Sequence, residues 1–182
     1  MEINHIAGIR SEMVETPRLQ MHLLTAGEPE NVPLLFLHGN TSSSTIWERF
    51  MMMFADDFFC IAPDLRGFGL TDDSKLIDAS RGMNDWVDDI AALIEFMNLP
   101  ALHLVGHSLG GFVCWGIIAQ HADRLLTATL IAPGPPMGFG GVHAEKGIPN
   151  NPDYSGSGAG IVVDTFAERI QAGDRSGDDP LY

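Results

Sequence analysis

The sequence predicts an α/β fold in which a doubly wound, mostly parallel sheet carries helices on both faces. Three observations lead to this prediction. Short apolar runs alternate with segments of helical periodicity between residues 32 and 132. The apolar runs are nearly continuous, as expected of strands that are buried on both faces. Two of them end in glycine-containing turns, and the ligand crevice of such sheets lies at the carboxyl ends of the strands.

Two strands are predicted before the parallel part of the sheet begins, over residues 3–9 and 18–25. The second segment alternates apolar and polar residues, which is typical of a half-buried strand. Thr16-Pro17 separates the two segments, so we expect an antiparallel hairpin at one edge of the sheet.

The apolar run 32–37 is predicted to be the next strand, and a polar turn follows it. Gly39 is expected to let the chain reverse and to present the N–H of Asn40 to the crevice. His38 is expected to orient this turn through hydrogen bonds. A serine or threonine is expected to cap the following helix, whose apolar residues recur at helical spacing over 46–54.

A further buried strand is predicted over 58–62, followed by a glycine-rich loop that contains Asp64 and Arg66. Their charges indicate a tight, ion-paired loop, which we interpret as structural. Asn84 is expected to cap an amphipathic helix that Pro100 ends.

The strongest functional pattern lies between an apolar strand that begins at Leu102 and an apolar helix. Ser108 occupies the turn, with Gly106 and Gly110 two positions away on either side. Side chains at those two positions would collide, so the glycines allow the serine to adopt a strained conformation. Leu109 then directs a free N–H towards the same space, at the positive end of the helix. This G-x-S-x-G pattern predicts a nucleophile elbow.

One more strand is predicted over 127–132, and the composition changes after it. Glycine, proline, asparagine and serine dominate up to about residue 160, a composition typical of irregular chain, and no sheet strand is predicted there. A short helix is predicted from Asp164 to Ile170. We therefore divide the chain into a core, residues 1–132, and a second region, residues 133–182.

Composition narrows the possible classes of function. Ten basic and 24 acidic residues give a net charge of −14, which argues against a nucleic-acid partner and against an anionic membrane surface. No apolar run approaches about 18 residues, and the first residues resemble no signal peptide. Cys60 and Cys114 fall in apolar elements, which favours buried thiols in the cytoplasm. No metal-ligand spacing or nucleotide-binding motif is visible, so we expect neither a metal nor a cofactor.

Three segments resemble the α/β-hydrolase superfamily: Leu37-His38-Gly39-Asn40, the loop from Asp64 to Asp72, and Gly106-His107-Ser108-Leu109-Gly110-Gly111. The resemblance covers residues 1–132 and implies that residues 133–182 begin a cap, or lid. Residues 38–43 and Trp47 are also similar to the corresponding loop of haloalkane dehalogenases. Those enzymes use an aspartate nucleophile, and Ser108 holds that position here. Dehalogenation is therefore disfavoured, and hydrolysis of an ester is favoured.

The residue types predict a serine hydrolase for a small acyl substrate. Ser108 would attack a carbonyl carbon and form an acyl-enzyme, with the N–H groups of Asn40 and Leu109 as the oxyanion hole. In this superfamily the catalytic acid and histidine follow the serine, and we expect both to lie outside this chain segment. The sheet is thus expected to be truncated after its sixth strand. The remainder of the fold would be a separate chain or segment, and the 182 residues alone would not hydrolyse esters.

Several alternatives remain open at this point. Among the histidines after Ser108, His121 ends the elbow helix, whereas His143 lies in an irregular segment from which it can reach the site. His5, His22 and His103 fall in predicted strands and are interpreted as satisfied sheet residues. Other functions on the same fold are a lactonase, an amidase, a C–C bond hydrolase, a cofactor-free oxidase and a non-catalytic ligand-binding protein.

Overall fold

A computed structural model of the chain describes residues 4–72, 74–78, 81–134, 142–143 and 148–149. The chain divides into two units, residues 1–134 and 135–182, which are described separately. None of the helices in the described ranges is both long enough and apolar enough to cross a membrane.

The described residues of the first unit form one six-stranded sheet and three α-helices. The strands are β1 (Arg10–Glu15), β2 (Gln20–Ala26), β3 (Val32–Leu37), β4 (Phe58–Pro63), β5 (Leu102–His107) and β6 (Leu125–Ile131). The helices are α1 (Glu48–Phe54), α2 (Asn84–Phe96) and α3 (Leu109–His121). Short 3₁₀ turns precede α1 over Ser44–Trp47 and follow α3 over Ala122–Arg124.

The strand order is β1-β2-β4-β3-β5-β6. β2 is antiparallel to both β1 and β4, whereas the pairs β3–β4, β3–β5 and β5–β6 are parallel. The prediction of a doubly wound, mostly parallel sheet is confirmed. From β3 the chain proceeds to β4 on one side and later to β5 on the other. The carboxyl ends of β3 and β5 therefore flank the switch point at which such sheets bind ligands.

Helices cover both faces of the sheet. On one face α2 and α3 pack on inward side chains of the central strands, including Leu35, Ile61 and Leu104. On the other face Trp47 and Met51 pack on Phe36 and its neighbours. Adjacent residues along a strand point to opposite faces, so continuous apolar runs are needed to fill both layers.

The predicted first strand, residues 3–9, is wrong. β1 is the polar segment Arg10–Glu15, paired in register with β2 from Arg10–Thr25 to Glu15–Gln20. The preceding segment instead contacts α1, because the Glu48 carboxylate accepts hydrogen bonds from the His5 ring and from the Ile6 N–H at 2.7 and 2.9 Å. An edge strand is held by backbone pairing and needs no apolar face, so its polar sequence concealed it.

Both predicted helix caps are wrong as well. Ser43 precedes the 3₁₀ turn but makes no side-chain cap; its hydroxyl hydrogen-bonds to that of Thr45. Asn84 is the first residue of α2 rather than its cap, and its amide donates to the Arg81 carbonyl oxygen. The N–H of Ser44 is accepted by the carboxylate of Asp64, twenty residues away. A tertiary contact has therefore replaced the local cap.

The last strand of the sheet begins at Leu125, two residues before its predicted start, and ends at Ile131. In the second unit, Val142–His143 (β7) pairs with Ile148–Pro149 (β8) in a separate antiparallel sheet. The expectation of no strand after Pro133 is therefore wrong for these four residues. The predicted helix 164–170 lies outside the described residues. The division at residue 132 and the cap remain predictions.

Candidate active site

The structure brings the two predicted site segments together. β3 and β5 are neighbours, with Leu37 opposite Gly106. Beyond their ends, Gly39 lies so close to the elbow that a Cβ atom on it would be 3.2 Å from the Ser108 Cβ and 2.9 Å from the His107 Nδ1. The absence of a side chain at Gly39 therefore allows the turn after β3 to contact the serine.

Ser108 has the strained backbone expected of a nucleophile elbow. Its φ of 51° and ψ of −110° lie in a region that residues with a side chain rarely adopt. Two backbone hydrogen bonds hold it there. The Ser108 N–H donates to the Ile131 carbonyl oxygen at 3.0 Å, and the Ser108 carbonyl accepts from the Phe112 N–H at 3.2 Å.

The two glycines of the elbow serve different contacts. A Cβ atom on Gly106 would overlap the Cys114 sulfur and lie 2.5 Å from the Gly110 carbonyl oxygen, so this glycine keeps β5 and α3 in contact. A Cβ atom on Gly110 would instead overlap the carbonyl oxygen of Leu37. Gly110 thus allows α3 to contact the end of β3. The sequence predicted only a clash between the two positions that flank the serine, and not this contact.

The two predicted oxyanion donors lie on the elements expected of them. Leu109 is the first residue of α3, and the first four N–H groups of a helix lack partners within it. Asn40 is exposed in the turn that follows Gly39. The left-handed residue of this turn is Thr41, with a φ of 53°, and not Gly39. Gly39 provides the close approach to Ser108, and the reversal falls two residues later.

Backbone strain is concentrated at the carboxyl edge of the sheet. Among the described residues, four non-glycine residues have a positive φ: Thr41, Asn98, Ser108 and Ala132. Three of them, all except Asn98, follow β3, β5 and β6 closely. Strain of this kind costs about 1–3 kcal/mol per residue and clusters at functional sites. Only the strain at Ser108 had a sequence signal, the flanking glycines.

His38 secures the turn after β3 from within the core. Its Nδ1–H donates to the Gly39 carbonyl oxygen at 2.8 Å, and its Nε2 accepts from the Leu65 N–H at 3.0 Å. The two contacts together require the neutral ring with the proton on Nδ1. Burial lowers the pKa of His38, in keeping with that form. Both ring nitrogens are occupied, so this histidine does not act as the base of Ser108.

Among the described residues, no histidine forms a hydrogen bond with the Ser108 hydroxyl. The interpretation of His22 and His103 as satisfied strand residues is confirmed, because they bond to Asp64 and to Thr127 respectively, each at 2.8 Å. His5 precedes β1, so its assignment to a strand is wrong.

Two histidines, His121 and His143, follow the serine in the chain. His121 ends α3, which at about 1.5 Å per residue places it about 18 Å along the helix from Leu109. His121 therefore lies at the opposite end of α3 from the serine. His143 lies in β7, in the second unit.

The charged loop after β4 is ion-paired, as predicted, but not between its own members. The Asp64 carboxylate binds the His22 Nδ1 at 2.8 Å, and the Arg66 guanidinium binds Asp89 on α2 at 2.6 Å. Burial raises the pKa of Asp64, but hydrogen bonds from His22, Ser44 and Leu70 outweigh it and bring the pKa to about 2. This loop is thereby fastened to β2, to α2 and to the segment after β3.

An apolar groove of about 340 Å³ lies on the α1 face of the sheet. Its lining residues come from β3, the 3₁₀ turn before α1, α1, β4, β5 and β6, and include Phe36, Trp47, Phe50, Val105 and Ile131. In the described part of the chain, no group of three or more metal-ligating side chains is close enough to hold a metal ion.

Comparison with known proteins agrees with this geometry. Residues 32–158 match the family model for the α/β-hydrolase fold. The chain is 28% identical over 134 residues to epoxide hydrolase 1 of Caenorhabditis elegans, which covers 72% of this chain and 33% of that protein. It is 44% identical over 98 residues to 2-(acetamidomethylene)succinate hydrolase of Mesorhizobium japonicum, which covers 54% and 34%.

Among solved structures, a serine hydrolase from the polyaromatic-hydrocarbon-degrading bacterium Cycloclasticus zankles superimposes with a TM-score of 0.66 at 27% identity. The match covers 70% of this chain and 47% of that structure. The chain thus spans about a third of the two curated relatives named above, 33% and 34% of their lengths. Because the family model matches more than half of the chain, the chain belongs to the α/β-hydrolase family.

Proposed function

We propose that the protein is a serine hydrolase of carboxylic esters or related acyl compounds, with Ser108 as its nucleophile. The observation that carries the proposal is the strained Ser108 at the start of α3, in contact with the turn after β3. Residues 38–44 of that turn are called the oxyanion loop below. Attack of the Ser108 oxygen on the carbonyl carbon gives a tetrahedral oxyanion, which the N–H groups of Asn40 and Leu109 would bind. Loss of one such donor typically costs about 3–4 kcal/mol in the transition state.

The chemistry of the nucleophile favours an acyl substrate over an epoxide, although relatives named epoxide hydrolases match this chain. Opening of an epoxide by a serine oxygen would leave an ether on the enzyme, which water does not cleave under mild conditions. Attack on an ester expels the alcohol and leaves an acyl-serine ester, which water hydrolyses to the acid and free Ser108. The Mesorhizobium relative is named a hydrolase of 2-(acetamidomethylene)succinate and the Cycloclasticus relative a serine hydrolase, and both names are compatible with such acyl chemistry.

The serine needs a base, and the proposal assigns the catalytic acid and histidine to the part of the fold that follows these 182 residues. The remainder would be a separate segment or chain, and the 182 residues alone would not turn over esters. We propose a cytoplasmic location, on the ground that Cys60 and Cys114 are free, buried thiols.

The test is labelling with a fluorophosphonate, followed by intact-mass analysis under denaturing conditions. This reagent labels a base-activated serine in preference to other side chains, and the mass gives the length of the labelled chain. We expect one adduct, located on Ser108, on the natural-length protein or in the presence of its remainder. Ser108→Ala should abolish the adduct, whereas Ser74→Ala, at an exposed serine outside the elbow and the oxyanion loop, should retain it.

Two other results would change the assignment. An intact, natural-length protein without any adduct would contradict the serine mechanism and would favour a non-catalytic ligand-binding protein. An adduct on the 182-residue chain alone would place the base within it, and His143→Ala would then be the next variant to label. Hydrolysis of a matched ester, lactone and amide series would distinguish the acyl classes.

A further inference from the structure

Two consecutive residues of the loop after β4 hold both ends of the oxyanion loop. At its first residue, His38, the Nε2 atom accepts the N–H of Leu65 at 3.0 Å. At its last residue, Ser44, the N–H donates to the Oδ1 atom of Asp64 at 2.7 Å. The segment between these anchors carries Asn40, the proposed oxyanion donor.

The Asp64 carboxylate is built into the core rather than placed at the surface. Its residue is 1% exposed, and its Oδ2 atom accepts hydrogen bonds from the His22 Nδ1 at 2.8 Å and from the Leu70 N–H at 2.9 Å. Gly69 leaves the space that the carboxylate occupies, because a Cβ atom on it would overlap the carboxyl group. A buried charge is tolerated only when its oxygens are paired in this way.

The oxyanion loop requires such anchoring because it is strained. Thr41 is β-branched and has a φ of 53°, a conformation that persists only when its surroundings impose it. Gly39, two residues earlier, is in contact with Ser108. Relaxation at Thr41 would therefore move the Asn40 N–H relative to the serine, and displacements of about 1 Å can cost about 100-fold in rate.

We propose that Asp64, held by His22, is a positioning residue that keeps the oxyanion loop in register with Ser108. It touches neither substrate nor nucleophile. Because the oxyanion exists only in the transition state, the contribution of Asp64 falls on kcat rather than on KM. This inference rests on the function proposed above.

The first test measures backbone hydrogen exchange in Asp64→Asn, a substitution that keeps the shape but replaces one acceptor with a donor. We expect exchange of the peptide 38–46 to rise at least about tenfold, since local opening controls exchange of such segments. Exchange of the peptide 102–118 should stay unchanged. Asp89→Asn is the matched control, because Asp89 is also 1% exposed and ion-paired, but to Arg18 and Arg66.

Unchanged exchange of 38–46 in Asp64→Asn would overturn the proposal, and so would an equal rise in Asp89→Asn. If Asp64→Asn does not fold, His22→Leu and His22→Asn decide. His22→Leu removes the donor to Asp64, whereas the amide of His22→Asn can donate from nearly the same position. Faster exchange of 38–46 in His22→Leu, restored in His22→Asn, supports the proposal; equal exchange in both contradicts it.

Ester hydrolysis by the natural-length protein provides the second readout. We expect kcat of Asp64→Asn to fall about 10–100-fold with KM within about twofold. A rise in KM at constant kcat would contradict a positioning role. Ser108→Ala is assayed in parallel, because activity that survives it would refute the serine mechanism, while the exchange experiment would still decide what Asp64 does.

Discussion

The side of the central sheet formed by β2, β3 and β4 is enclosed more completely than the side formed by β6. In β2, β3 and β4 every residue after the first is buried, and the loop that follows β4 is itself buried over 64–66. In β6, by contrast, Leu126 is 52% exposed and Ile131 41% exposed. The groove on the α1 face opens beside the same strand.

The parts of the candidate site lie at different places relative to these two sides of the sheet. The oxyanion loop lies on the enclosed side, anchored by Asp64 and Leu65. Ser108 stands at the boundary, since its N–H bonds to Ile131 on the exposed strand. The two hydrogen bonds that hold the ends of the oxyanion loop therefore lie within the described residues.

The largest expected effect comes from Gly110→Ala, at the contact between the two sides. The new methyl group would overlap the Leu37 carbonyl oxygen, which is backbone and cannot move aside. We expect a loss of more than about 3 kcal/mol in the free energy of unfolding. Gly82→Ala, where nothing lies within 4 Å of the added atom, should cost only about 1–2 kcal/mol for its φ of 59°. Urea unfolding of both variants measures the difference, and equal losses would contradict it.

One truncation on each side of the sheet tests the difference in enclosure. Leu35→Ala, at a fully buried position in β3, should cost about 3 kcal/mol, because it leaves a cavity. Leu126→Ala, on β6, should cost less than about 0.5 kcal/mol. A loss above about 1 kcal/mol at Leu126 would mean that this side of β6 is covered in the protein as it exists.

Acid should act first on the enclosed side, through Asp64. Its pKa in the folded protein is about 2, below the usual 3.8, so its ionised form stabilises the fold above about pH 4. That stabilisation, about 2 kcal/mol for a lowering of this size, is lost as the pH falls towards 2. Stability measured from pH 5 to pH 2.5 should fall less steeply in Asp64→Asn than in the wild type. The exposed substitution Asp56→Asn should retain the wild-type slope.

The smallest expected effect is a gain in the free energy of unfolding. Ser108→Gly should raise the free energy of unfolding by about 1 kcal/mol, because glycine adopts φ 51° and ψ −110° without side-chain strain. Asn98→Gly, where asparagine tolerates a φ of 50°, should change it by only a few tenths of a kcal/mol. Thermal unfolding compares the two variants. A loss of stability in Ser108→Gly would show that the elbow stores no strain.

Local sequence accounts for most of the sheet and for the elbow. The runs 32–37, 58–62 and 102–107 were predictable because strands buried on both faces are continuously apolar. The elbow at Ser108 was predictable because only glycine, at positions 106 and 110, allows the close contacts on either side of the serine. β1 was missed because an edge strand is selected by backbone pairing, and its polar residues give no such signal.

The sequence by itself predicted the strand-and-helix alternation, the elbow at Ser108 and the family, since each depends on residues adjacent in the chain. Only the tertiary structure decided that the Asp64 carboxylate, rather than a local helix cap, accepts the N–H of Ser44. It also decided that His22 pairs with Asp64 and that Gly110 packs against the end of β3. These contacts join residues 20 to 73 positions apart, and a partner at that distance leaves no local pattern in the chain. The strain at Thr41 and Ala132 was invisible for the same reason, because the surrounding fold imposes it.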